Sequence, residues 1–294
     1  MNSKLNPYLL MVCANICFGT GSITFAKFAK SRSPSWMNQV KVSVAFICFV
    51  VAFFLLEPYV PLSLSGIFYL LGSGFIGLCV ADLFLFRAFT TLGPSRTFVL
   101  FSFQPFLLAI YGYLFLGQTL SNQQALAVLC MVGCIFAFIY ERKKAEGRFH
   151  FLAFFTAFLG IFFDAIGVML SRQAYEGNPY LGSFQGNMMR ALGALIGFFL
   201  VSPKSYAKIF QDVKTMPAPE RNLVIGASFL GTFVALSFYL RALKTAHVAT
   251  LVAVSITLPI WVSLIEHVKQ KSWPNRYLWF AFALFLTGFA LMNL

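Results

Sequence analysis

The sequence predicts an all-α integral membrane protein with ten transmembrane helices in two five-helix repeats of inverted topology. Three observations predict it. Hydrophobic residues make up 59% of the chain and charged residues 11%, with a mean hydropathy of +0.79, too little polar surface to cover a soluble globule of 294 residues. The apolar residues gather in stretches of about 20, enough to cross about 30 Å of hydrocarbon as helices, and they lack the alternation of a membrane barrel. Finally, one stretch occurs twice. FIGLCVADLFLFRAFTTLGPSRTFVLFSFQP, from Phe75 to Pro105, aligns without a gap with FLGTFVALSFYLRALKTAHVATLVAVSITLP, from Phe229 to Pro259. Nine of 31 positions are identical, among them Gly77/Gly231, Ala81/Ala235, Arg87/Arg241, Thr91/Thr245 and Pro105/Pro259.

The spans fall at about 8–29, 34–57, 64–87, 95–116, 122–140, 150–172, 179–202, 222–243, 247–268 and 275–293. The first half covers 1–142 and the second 149–294, joined by ERKKAEGR from Glu141 to Arg148. Five is odd, so the second half runs through the membrane upside down relative to the first, the plan of many secondary transporters. Ser33-Pro34 and Asn178-Pro179 both read as an N-cap followed by proline at the first helical position. Each precedes a span with an asparagine and a cation three residues on: Asn38 and Lys41, then Asn187 and Arg190. Between the seventh and eighth spans, Tyr206, Ile209, Phe210 and Val213 share one helical face, which predicts a short amphipathic helix along the head groups.

The net charge of +13 does not indicate nucleic acid, because the basic residues sit in the short connections. Sixteen of the 22 Lys and Arg residues lie in the connections after the odd spans or at their flanks, and four lie on the opposite side. By the positive-inside rule both termini face outward, in a cell inner membrane. The six cysteines fall inside spans; Cys13/Cys17 and Cys130/Cys134 have helical i, i+4 spacing, but no histidine or carboxylate completes a metal site beside them, so the cysteines read as packing residues and no metal or other cofactor is expected.

Ionisable groups inside a span cost about 2.5–3.5 kcal/mol on insertion scales, so each calls for a reason. Asp82 and Asp164 are candidates for proton or cation coupling or for capture of a substrate ammonium. Lys41 and Arg190 are candidates for a substrate carboxylate or phosphate. Mutual ion pairing is the structural alternative for all four. Asn15, Gln104 and Asn187 are candidate polar lining, and the repeat mates Pro105 and Pro259 candidate hinges. Arg87 and Arg241 end their spans and read as interfacial anchors. No nucleophile, base and orienter occur in a recognisable arrangement, which disfavours an enzyme.

Two five-span halves, YLRALKTAHVATLVAVSITLPIWVSLI across the eighth and ninth spans, and PFLLAIYGYLFLGQTLSNQQ at the fourth resemble the EamA-type branch of the drug/metabolite transporter superfamily. Gln118 stands where that family commonly has glutamate, and Lys269 to Trp273 depart from its pattern. The resemblance implies a secondary transporter with a central cavity between spans 1–4 and 6–9, often an exporter of amino acids or other small metabolites. Expected partners are a small polar or zwitterionic substrate, the lipid bilayer and a coupling proton. Two acids facing two bases suit a zwitterion, although the charges also suffice to cancel one another. A carrier of nucleosides, vitamins or sugar conjugates, and a non-transporting scaffold or receptor, are the other readings.

Overall fold

The computed structural model describes residues 6–101, 103, 104, 107, single positions between 126 and 140, 151–201, 203–245, 257–270 and 276–293. These residues form helices α1 (Pro7–Ser31), α2 (Pro34–Leu56), α3 (Leu64–Leu92), α4 (Pro94–Phe101), α5 (Phe151–Gly177), α6 (Ser183–Val201), α7 (Pro203–Thr215), α8 (Ala218–Lys244), α9 (Thr257–Gln270) and α10 (Arg276–Asn293). Six of them, α1, α2, α3, α5, α6 and α8, are long and apolar enough to cross a bilayer, which makes the chain a multi-pass membrane protein. They correspond to the first three spans expected of each half. Most of the expected fourth and fifth spans, Pro105 and the start of the ninth lie outside the described residues.

Local chemistry explains most helix starts. Ser33 Oγ accepts from Trp36 N at 3.0 Å and Ser63 Oγ from Gly66 N at 3.1 Å, caps that contribute about 1 kcal/mol each. The expected Asn178-Pro179 cap is not formed: α6 begins at Ser183, and the Asn178 side chain instead donates to the Ala174 carbonyl at 2.8 Å. A carboxylate from the other half does the capping. Glu57 Oε2 accepts from the N–H groups of Phe184 and Gln185, both at 3.0 Å, where an anion is favoured by the helix dipole. Gln185 then exchanges two hydrogen bonds with the backbone of Val60, so one end of α2 and α3 is tied to the start of α6.

Two glycine contacts relate the halves. A Cβ on Gly21 of α1 would lie 2.7 Å from Gly231 Cα on α8, and one on Gly167 of α5 would lie 2.9 Å from Gly77 Cα on α3. Without a hydrophobic force between helices in lipid, such close backbone approach is a main source of packing energy. Gly77 and Gly231 are repeat mates, so the first helix of each half leans on the third helix of the other. Both glycines lie in π-helical turns, Gly74–Ala81 in α3 and Phe229–Val234 in α8. A π turn leaves carbonyls out of register, and side chains take them up. Asn38 Nδ2 donates to the Leu78 carbonyl in the first π turn at 3.0 Å, and its counterpart Asn187 donates to the Leu236 carbonyl at 3.0 Å, two residues past the second. The glycines of the Gly193-to-Gly197 motif pack α6 against Leu71 and Phe75 of α3.

Two further expectations shift. The third span runs on to Leu92, so Arg87 is exposed on the flank of the helix rather than at its end. The amphipathic connection is helical as α7 and buries Ile209, but Phe210 is 60% exposed.

Candidate functional site

A cavity of about 130 Å³ lies where α1, α2, α3, α5, α6 and α8 converge, with α4 and α9 beside them. Six of the seven candidate lining residues meet there: Asn15, Lys41, Asp82, Gln104, Asp164 and Arg190. Asn187 does not line the cavity. It is fully buried between α6 and α8, and its Oδ1 accepts from Arg190 Nη1 at 3.5 Å. Of the hinge candidates, Pro259 is buried in the first turn of the described part of α9, and the chain before it is outside the described residues.

The four charges are arranged in two different ways. Lys41 Nζ donates to Asp82 Oδ2 at 2.5 Å and lies 4.9 Å above the Phe86 ring and 5.9 Å above Phe25. A carboxylate and two ring faces surround this ammonium, which is the arrangement that lets a charge stay in a low-dielectric site. Arg190, buried, and Asp164, half-buried, also stand in the cavity wall, but they do not clasp. Arg190 Nε donates to Ser73 Oγ at 3.0 Å, and among the described residues no carboxylate lies within the 4.0 Å of an ion pair. Asp164 Oδ2 accepts from Gln104 Nε2 at 2.6 Å. A methyl group on Gly77 would lie 3.7 Å from Asp164 Oδ1 and 3.9 Å from Arg190 Nη2, so the glycine leaves open the space that both groups face.

The remaining wall is largely apolar, with phenyl rings prominent. Phe18, Phe25, Phe86, Phe89, Phe98 and Phe101 line it, with Tyr239 across from them on α8. Away from the cavity, Trp261 packs on Gly19 and donates to Thr20.

Three contributors have weak sequence signals. Ser73 is one serine among many, yet it holds Arg190 in place and donates to the Gly167 carbonyl at 2.7 Å. Thr232 lines the cavity at 2% exposure, and its hydroxyl has no partner among the described residues. Glu57 sits at a span end, where a carboxylate is ordinary until its partner helix is known. Among the described residues no group of histidine, cysteine or carboxylate could hold a metal ion.

Comparison with known proteins agrees with this architecture. The EamA-like transporter family matches residues 5–140 and again residues 151–294. Comparison with curated proteins gives no match. Twenty-five solved chains match in structure. One, a crystal structure 15% identical in sequence, superposes with a TM-score of 0.64 over 97% of this chain and 95% of its own, a likeness of fold alone.

Proposed function

We propose, from the premise that the chain belongs to the EamA-like transporter family and is a membrane transporter of the drug/metabolite superfamily, that it carries a zwitterion with an apolar side chain, such as an amino acid. The observation that carries this reading is the pair that does not close. A buried guanidinium and a half-buried carboxylate face one cavity without bonding each other, although each would gain from an opposite charge there. A substrate carboxylate on Arg190 and its ammonium on Asp164 Oδ1 would supply both partners at once. The phenyl wall would receive the apolar side chain.

The mechanism that fits is alternating access, with ten spans in two inverted halves, 1–142 and 149–294, rocking about the cavity. The cross-packing of Gly21 on Gly231 and Gly167 on Gly77 supports the inversion, since equivalent contacts recur with the halves exchanged. Export across a cell inner membrane, with both termini outside, follows from the family resemblance and the loop charges. A proton is the coupling ion this reading assigns, with Asp164 as its carrier.

The test is thermal stability of the purified protein with amino acids, nucleosides, vitamins and sugar conjugates. A ligand at 100 times its dissociation constant adds about 2.7 kcal/mol. Stabilisation by an apolar amino acid, lost in Arg190→Gln and in Asp164→Asn, is expected. Stabilisation by a nucleoside or sugar conjugate that survives both substitutions would overturn the assignment.

A further inference from the structure

A second hollow, of about 360 Å³, lies between the turn that joins α1 to α2 and the amphipathic helix α7. It is separate from the central cavity, and nothing in the transport reading uses it. Arg32 lines it from the turn, and Lys208 and Asp212 line it from adjacent turns of α7. Among the described residues none of the three makes an ion pair; Arg32 lies over the Trp36 ring at 5.6 Å. Trp36, also in the wall, is 7% exposed, and its indole N–H is buried with no acceptor among the described residues. The Ser35 N–H, in the first turn of α2, has no acceptor there either, because Pro34 and Ser35 precede the first α-helical bond.

These groups ask for a definite chemistry. Two cations, Arg32 and Lys208, and Ser35 at the start of α2 line a hollow large enough for a tetrahedral oxyanion. A carboxylate on the same wall asks for a cation a few ångströms from that anion. The hollow sits where spans end, beside a helix that buries Ile209 and exposes Phe210, which is the depth of the lipid head groups. We infer that this hollow binds the head group of an aminophospholipid. Arg32, Lys208 and the Ser35 N–H take the phosphodiester, and Asp212 takes the primary ammonium. A choline head group has no N–H to give Asp212, a glycerol head group leaves it without a cation, and inorganic phosphate adds a second negative charge beside it.

The experiment uses the full-length protein, delipidated in detergent. Short-chain phosphatidylethanolamine, phosphatidylcholine, phosphatidylglycerol and inorganic phosphate are each titrated, and binding is read by native mass spectrometry and melting temperature. Phosphatidylethanolamine is expected to bind at least about tenfold more tightly than phosphatidylcholine, a difference of about 1.4 kcal/mol. Arg32→Gln with Lys208→Gln should lower the affinity for every phospholipid. Asp212→Asn should erase the preference for ethanolamine over choline and leave phosphatidylglycerol binding intact. Arg32 and Lys208 are exposed, so the melting temperature without lipid should hold in their variants, and Lys208→Arg should restore binding. Three results would overturn the inference: phosphatidylglycerol binding as tightly as phosphatidylethanolamine, inorganic phosphate competing at equal concentration, or no lipid discriminated at all. A central cavity that fails to bind amino acids would leave this test unaffected.

Discussion

Lys41 and Arg190 occupy equivalent places in the two halves, three residues after an asparagine that bonds a carbonyl in or just past a π turn, yet one is clasped and the other open. Lys41 leans away from Asn38 to Asp82, and Asn38 Oδ1 is left with no partner among the described residues. Arg190 leans toward its own asparagine and Ser73, and no carboxylate closes on it. The difference lies one helix over: Asp82 stands in α3, whereas its repeat mate in α8 is Leu236. A duplicated frame has therefore kept a charge in both halves but given only one of them its own neutraliser. The first half's pair reads as structure, and the second half's as a site.

Breaking the closed pair should have the largest effect on stability. Asp82→Asn leaves a buried ammonium without its carboxylate and should cost about 3–5 kcal/mol, seen as a large drop in melting temperature. Combining Lys41→Met with Asp82→Leu removes both charges and copies the Leu236 side of the repeat. That double variant should recover most of the loss. If the double variant melts as early as Asp82→Asn alone, the pair is more than a neutralised charge, and the comparison fails.

Breaking the open pair should instead show in ligand binding. Arg190→Gln and Asp164→Asn are each expected to weaken binding of the amino acid at least about a hundredfold, about 2.7 kcal/mol, with a smaller change in the melting temperature of the free protein. Equal losses of stability in both pairs would remove the distinction between them. Gly77→Ala sharpens the same point. Its methyl would make ordinary contacts with Gly167 Cα, Asp164 Oδ1 and Arg190 Nη2 at 3.5–3.9 Å, so the fold should persist. The space between the charges would shrink, and affinity should fall about tenfold, about 1.4 kcal/mol. Unchanged affinity would mean that the substrate does not pass between Asp164 and Arg190.

Much of this arrangement is legible in the sequence because lipid makes polar residues conspicuous. Asn15, Lys41, Asp82, Gln104, Asp164 and Arg190 stand out in apolar spans for the cost of burying them, and the structure gathers all six around one cavity. Which charge pairs with which is not legible, since it depends on side-chain direction across helices. Asp82 is 9% exposed beside Lys41. Glu57 displaces the expected Asn178-Pro179 cap, and that acceptor, more than a hundred residues away in sequence, is not legible beforehand. The π turns leave no composition signature. Their only trace is that the repeat is strongest where they occur, at Gly77 and Gly231.

The smallest expected effect tests the π turns themselves. Thr232 lies in the π turn of α8, and its repeat mate is Leu78 in the π turn of α3; both line the cavity. A buried hydroxyl with no partner costs about 1–3 kcal/mol relative to an apolar group of the same shape. Thr232→Val should therefore raise the stability of the ligand-free protein by about 1 kcal/mol. A residue kept against that gradient is expected to bond something that visits the cavity, so the same variant should bind the amino acid less tightly, by about fivefold or about 1 kcal/mol. Higher stability with unchanged affinity would leave the hydroxyl with no role in binding. It would also confine recognition to the open pair, Arg190 and Asp164, and to Gln104, which donates to Asp164.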